Sequence, residues 1–238
     1  MGNPDERHTS NILLDTLSAD DLALLQPHLT REKLSHEQVL VFANRPIEHV
    51  WFPEGGVASV VADTADNGRT EVGIFGRDGF AGTPLLLGAD SSQHETFIQV
   101  DGHTGLRIEA ARFRAAVDQS VTLRTTLLRY VQTFITQTAH SAVSNAHQRI
   151  EARLARWLLM CHDRVIGDEL TVTHDFLSFM LGVQRTTVTL ALQLLEGNRL
   201  IKARRGRIGV LDRTGLLGVA GDSCGVPEAE YLRLIEGA

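Results

Sequence analysis

Arg185, Thr186, Thr189, Gln193 and Glu196 recur so that, at 100° per residue, they share one face of a helix running from about Arg185 to Glu196. Val188, Ala191, Leu192, Leu194 and Leu195 form a broad apolar arc on the opposite side. Guanidinium, hydroxyl and amide groups clustered near a helix N-terminus can exchange hydrogen bonds with the edges of bases in a DNA major groove. A solvated helix face has the same composition, so the residues beyond the helix have to separate the two. After Gly197-Asn198, which should close the helix, Leu200-Ile201 starts a strand. Lys202, Arg204, Arg205 and Arg207 then surround Gly206 before Ile208 and Val210 return, the pattern of a tight basic hairpin. Such a tip suits phosphate.

A second helix must precede the first to support it. Thr173 can cap a helix in which Phe176, Leu177, Met180 and Leu181 recur at helical spacing, and Gly182 can end it. Helix, three-residue turn, helix and basic hairpin, in that order, describe a winged helix-turn-helix. Double-stranded DNA is the expected partner, with Arg185, Thr186, Thr189 and Gln193 facing bases and Lys202, Arg204, Arg205 and Arg207 facing phosphate. Charge is distributed accordingly. Residues 176–211 hold six basic side chains against one acid, although the whole chain has 23 Lys+Arg against 29 Asp+Glu. Residues 1–118 carry 18 acids and nine bases, so the amino-terminal half should repel DNA.

At 238 residues and 43% hydrophobic, the chain can bury two cores. Short apolar runs broken by glycine and asparagine fill 39–108: Val39–Phe42, Val50–Phe52, Val57–Val61, Thr70–Ile74, Thr96–Val100 and Leu106–Ile108. Their spacing fits an all-β roll or sandwich, with a short helix before it at about Ala19–Leu29. A long helical pattern free of glycine and proline comes next, from about Gln119 to His147. Leu128, Val131, Ile135, Thr138 and Ala142 step along it by threes and fours. That seam fits either a two-helix coiled coil or packing on the chain's own roll, and DNA reading favours the dimer, since one recognition helix reads too few bases. Leu128, Val131, Ile135 and Ala142 are the candidate dimer contacts.

Together these parts resemble the Crp/Fnr transcriptional regulators over nearly the whole chain. RIEARLARWLLMCHD at Arg149–Asp163 and, most specifically, GVQRTTVTLALQLLEGNRLI at Gly182–Ile201 are similar to that family's carboxyl-terminal half. VWFPEGGVASVV at Val50–Val61 and FGRDGFAGTPLLLGAD at Phe75–Asp90 resemble a branch with no assigned ligand. The resemblance implies an α+β fold with a cyclic-nucleotide-binding-like β-roll or jelly roll over 1–118, a dimerisation helix over 119–147 and a winged helix-turn-helix over 148–238. It also implies a homodimer on a pseudo-palindromic operator. Arg185 matches an arginine that contacts guanine in many members. Where cyclic-AMP-responsive members carry a glutamate and a second arginine, this chain has Thr186 and Thr189, with Leu190 beyond; Leu190 is read as core rather than as a contact to a thymine methyl.

The family's cyclic-nucleotide site uses a glycine-glutamate pair and an arginine. Gly82-Thr83-Pro84 and His94-Glu95-Thr96 stand in those places, lacking both charged anchors, and Glu95 would oppose a phosphate. Control by cyclic AMP is not expected. Gly82, Thr83, His94, Thr96 and Thr138 remain the candidate pocket for an unidentified small molecule, with an unoccupied structural roll the alternative. RNA polymerase is a further candidate partner, although the connection between about Arg164 and Leu170 is shorter than the loop some members use to contact it.

Other chemistry finds little support. Cys161 and Cys224 cannot supply an iron–sulfur cluster or a disulfide framework, and no spacing among His94, His103, His140 and His147 marks a haem axial pair. A cupin-like metalloenzyme would need a His-x-His pair with a carboxylate, and His49, His94 and His103 are scattered. With no nucleophile elbow or phosphate loop, no enzyme, cofactor or metal is expected. A roll that binds a protein partner and has lost DNA binding is the other alternative, against which the four basic hairpin residues argue. The start MGNPDERHTS does not read as a secretion signal, and the lack of a long apolar run points to a cytoplasmic protein.

Overall fold

The computed structural model describes residues 9–63, 69–101 and 103–237, without the side chain of His103. The expectation for MGNPDERHTS therefore lies almost wholly outside the described residues.

Two short helices, α1 (Ile12–Asp15) and α2 (Ala19–Leu25), lead into seven strands. These are β1 (Thr30–Leu34), β2 (Val39–Val41), β3 (His49–Pro53), β4 (Val57–Asp63), β5 (Arg69–Phe75), β6 (Glu95–Val100) and β7 (His103–Glu109). They form two antiparallel sheets, β1-β7-β3 and β2-β6-β4-β5, whose inner faces meet in one core. Phe52, Phe80 and Phe113 fill that core in mutual ring contact, and Tyr130 of the long helix packs on Phe80 at 5.1 Å. Each strand expected from apolar alternation is present. β1, Thr-Arg-Glu-Lys-Leu, is not legible in the sequence: as an edge strand it carries four polar residues and buries only Leu34. The helix expected over Ala19–Leu29 stops at Leu25, and Pro27 continues it only as a tight turn at Gln26–His28.

α3 (Ala110–Gln119) closes the roll, and Ser120 caps the long α4 (Val121–His147) by accepting from the Leu123 amide at 3.1 Å. After a two-residue break, α5 (Ile150–His162) starts the carboxyl-terminal unit: β8 (Glu169–Leu170), α6 (His174–Leu181), α7 (Arg185–Gly197), β9 (Ile201–Arg204), β10 (Arg207–Val210), α8 (Arg213–Ala220) and α9 (Val226–Tyr231). A second core of Leu154, Leu158, Leu177, Val188, Leu195 and Ile208 holds it together.

That core does not stop at the domain boundary. Val57, Ile74 and Val100 of the roll belong to it, so the carboxyl-terminal unit packs against the β4-β5-β6 face. Polar contacts cross the same junction. Trp157 Nε1 donates to Glu71 at 2.8 Å, Arg164 donates to both oxygens of Asp78 at 3.1 and 2.6 Å, and the Tyr231 hydroxyl donates to the Asp78 carbonyl at 2.8 Å. Burial pushes Glu71 up to about 7, more than its hydrogen bonds from Ser59 and Trp157 and the nearby Arg156 and Arg164 pull it down.

The long helix divides its apolar residues between two faces. Leu123, Leu127 and Tyr130 belong to the core of the chain's own roll, and Val131 is buried beside them without joining either core. Val121, Leu128, Ile135 and Ala142, each seven residues from the last, point outward. Val131, expected in an intermolecular seam, is only 6% exposed and is part of the chain's own packing; the unpartnered stripe is the heptad row beside it.

Candidate nucleic-acid interface

α6 begins where the Thr173 hydroxyl accepts from the Phe176 amide at 3.2 Å, and ends at Gly182, which adopts φ 61°. The left-handed turn returns Val183 N–H to the Ser178 carbonyl and sets α7 across α6 after three residues. Leu177, Met180 and Leu181 are buried from α6, and Val188, Ala191, Leu192 and Leu195 from α7. This packing fixes which side of α7 is free. Arg153 ties the assembly to the preceding helix pair, donating to the Leu181 carbonyl and to Asn145.

Arg185, Thr186, Thr189 and Gln193 all lie on the free side. Arg185 reaches back to Asp175 at 3.3 Å, an exposed pair that a stronger acceptor can displace at little cost. Thr189 is less free, since its hydroxyl donates to the Arg185 carbonyl at 3.0 Å and lies 3.2 Å from His174 Nδ1. Leu190 departs from expectation. It is 67% exposed and stands on the same outward face, so it is not core. Leu194, assigned to the apolar arc, is also 48% exposed. Both corrections have one cause: α7 packs on neighbours over a narrower arc than its sequence offers.

α7 closes at Gly197-Asn198 as expected, with Asn198 as its C-cap, and the residue that then takes the left-handed conformation is Arg199, at φ 59°. Its reversal starts β9, which pairs with β10 in register Arg204↔Arg207 around Arg205 and Gly206. Gly206 has φ 72°, the conformation the two-residue tip requires. Ile201, Ile208 and Val210 point into the core, leaving Lys202, Arg204, Arg205 and Arg207 outside. Lys202 pairs with Glu196 at 3.3 Å and Arg207 with Glu169 at 3.5 Å. The side chains of Arg204 and Arg205 make no hydrogen bond or ion pair among the described residues, leaving two guanidinium groups at the tip uncommitted.

The geometry is that of a helix pair with a basic wing, and known proteins share it. A family model described as the Crp-like helix-turn-helix domain matches residues 152–219. The match begins in α5 and ends in α8, so it includes both helices of the motif and the wing. Beyond the domain, about four fifths of the chain is similar in fold to solved regulators. FixK2 from Bradyrhizobium japonicum superposes with a TM-score of 0.69 at 14% identity, covering 82% of this chain and 99% of that one. TTHB099, a Crp-family transcriptional regulator from Thermus thermophilus, gives 0.66 at 17%, covering 80% and 97%. CLP, the c-di-GMP-responsive global regulator of Xanthomonas campestris, gives 0.63 at 17%, covering 81% and 99%. No curated protein matches the chain. The chain therefore has the fold of these Crp/Fnr-type proteins, with a region similar to the Crp-like helix-turn-helix domain at its carboxyl end. Among the described residues no helix is long and apolar enough to cross a membrane.

The residues expected to hold an effector are not assembled in the same way. Gly82 and Thr83 start a tight turn, where a Cβ on Gly82 would stand 2.9 Å from Val50. Thr96 is buried in β6, His94 is exposed before it, and Thr138 donates to the Phe134 carbonyl at 3.0 Å. Glu95, in the position expected of a phosphate-binding arginine, accepts from Arg69 at 2.5 Å.

Proposed function

We propose that the protein is a homodimeric, sequence-specific transcription regulator that reads a pseudo-palindromic operator, the roll over 1–118 acting as scaffold or sensor and the helix over 119–147 joining protomers. The observation that carries this reading is the outward face of α7, polar and cationic beside a wing with two uncommitted arginines, in a Crp-like domain. Arg185 would donate two parallel hydrogen bonds to guanine O6 and N7, and Thr186 and Gln193 would contact adjacent base edges. Arg204 and Arg205 would hold phosphate, with Lys202 and Arg207 joining once their surface acids are displaced. The heptad row Val121, Leu128, Ile135 and Ala142 suits a second α4 related by two-fold symmetry, which would set two α7 helices at half-site spacing.

Cyclic AMP is not the effector in this reading. The roll interior is occupied by packed aromatic rings, and by the resemblance Glu95, already paired with Arg69 at 2.5 Å, takes the place of the arginine a cyclic phosphate would need. The test is selection of duplexes from a random pool by the purified protein, followed by fluorescence anisotropy. Enrichment of an inverted repeat bound at least about a thousandfold more tightly than random DNA supports it; no enriched sequence, with weak binding that vanishes at physiological salt, would reject it.

A further inference from the structure

A cavity of about 280 Å³ opens at the junction of the roll, α4, α5 and the carboxyl-terminal α9. None of the effector residues expected from sequence lines it. Its walls are largely apolar and aromatic: Ile74 and Phe75 from the end of β5, Phe134 from α4, Met160 from α5, and Tyr231 and Leu232 from the chain's end. Two arginines reach it already neutralised, Arg164 by Asp78 at 2.6 Å and Arg213 by Asp163 at 2.7 Å. Glu228 also lines it, and its carboxylate accepts from the Gly225 amide at 2.7 Å; Arg156, which is not on the wall, attracts it from beyond ion-pair distance. Among the described residues Glu228 is thus the charge on the wall that has no ion-pair partner, and it is negative.

Gln137 adds direction. It is 7% exposed, and its Oε1 accepts from the Ile74 amide at 2.9 Å. Because that backbone group can only donate, the Gln137 oxygen must face it, which turns the amide NH2 the other way. That nitrogen has no hydrogen-bond partner among the described residues. The Tyr130 hydroxyl, also buried on the wall, has the Phe80 backbone amide beside it but no acceptor for its own proton among the described residues, and burial keeps it protonated. The Tyr130 hydroxyl proton is enclosed, whereas the Gln137 nitrogen, on the cavity lining and not enclosed, is open to an incoming acceptor.

We propose that this junction cavity binds a small uncharged aromatic molecule bearing a carbonyl or hydroxyl acceptor, which the Gln137 amide holds by donating to it while the ring lies among the apolar walls. Anions of the same shape are repelled by Glu228 and meet, among the described wall residues, only arginines that are already ion-paired. Since the walls come from both the roll and the Crp-like domain, occupancy stabilises the arrangement in which the two are packed together.

Benzamide is a suitable probe because it joins a ring to a neutral carbonyl, and benzoate differs from it chiefly in carrying a negative charge. With benzamide up to about 20 mM, thermal unfolding of the full-length protein should show a saturable rise in Tm of about 2 °C or more. Benzoate should give no saturable rise. In protein labelled with ¹³C at methionine methyls, benzamide should shift Met160, on the cavity wall, by the ring current and leave Met180, in the carboxyl-terminal core, in place. Gln137→Leu should weaken benzamide at least tenfold. If that variant does not fold, the wild-type Met160 signal decides. The proposal is overturned by a Met160 methyl that does not move, by benzoate binding as well as benzamide, or by a folded Gln137→Leu protein that binds benzamide unchanged.

Discussion

Replacing Glu71 by Gln should remove a pH dependence that holds the Crp-like domain against the roll. In the packed arrangement the Glu71 carboxyl accepts from the Ser59 hydroxyl at 2.6 Å and from the Trp157 indole at 2.8 Å, and burial raises its pKa to about 7 from an ordinary 4.5. If the two units part, Trp157 leaves and the carboxyl is hydrated again. The packed form then binds the proton more tightly than the parted form, so its extra stability is complete below about 4.5 and is lost as pH rises through 7. Between pH 8 and pH 5.5 the gain works out at about 2 kcal/mol, from a shift of some 2.5 units at 1.36 kcal/mol each, less the part lying below 5.5. Hydrogen exchange of α6 amides, which face β5, reports parting without requiring global unfolding. Wild-type protection should increase on acidification and that of Glu71→Gln should not, while the variant should be the better protected at pH 8. Equal pH slopes in the two proteins, or wild-type protection that falls from pH 8 to 5.5, would refute the reasoning. The difference between the proteins is the readout, because other groups titrate equally in both.

Four further outcomes are expected. Leu128→Asp with Ile135→Asp should give a folded monomer by light scattering, since both side chains are exposed in the single chain and would place charges in the dimer seam; unchanged dimer mass would exclude the seam. Val131→Asp should instead unfold the roll, because that side chain is internal. Millimolar cyclic AMP should change neither Tm nor operator affinity, whereas a ligand at 100 times its dissociation constant would add about 2.7 kcal/mol of stability. Leu190, exposed among Thr186 and Gln193, should contact a thymine methyl: replacing the facing thymine by deoxyuridine should weaken binding about fourfold, as expected for loss of one buried methyl, and Leu190→Ala should abolish that difference.

Much of this architecture was legible because its signals are local. Alternating apolar residues bounded by glycine marked the strands of the roll, and the succession of Thr173, Gly182 and the Arg205-Gly206 turn marked a winged domain. β1 carried no such signal, since an edge strand with one buried side chain reads as polar chain. Packing partners were harder to see. Periodicity showed that Val131, Leu190 and Leu194 could be buried, but only the placement of α4 on the roll and of α7 on α6 decides which are. The junction could not be read at all: Glu71 and Trp157 are 86 residues apart, and neither has a neighbour in sequence that announces the other. The same holds for the cavity, built from β5, α4, α5 and the chain's end. The expected effector residues came from matching positions in a resemblance, and the roll at those positions is closed by Val50 and by rings.

The central claim is that Arg185 reads a base while the wing holds phosphate, and one salt series of anisotropy titrations on operator and random duplexes tests it most directly. Arg185→Ala should weaken operator binding by roughly 1–3 kcal/mol and leave random DNA almost unaffected, because a bidentate guanine contact contributes only where that guanine is present. Arg205→Ala should weaken both duplexes alike and lower the salt slope by about one unit, since a phosphate contact releases counterions whatever the sequence. Identical, sequence-independent losses in the two variants would contradict the account, making Arg185 another phosphate anchor and leaving α7 without its reading role.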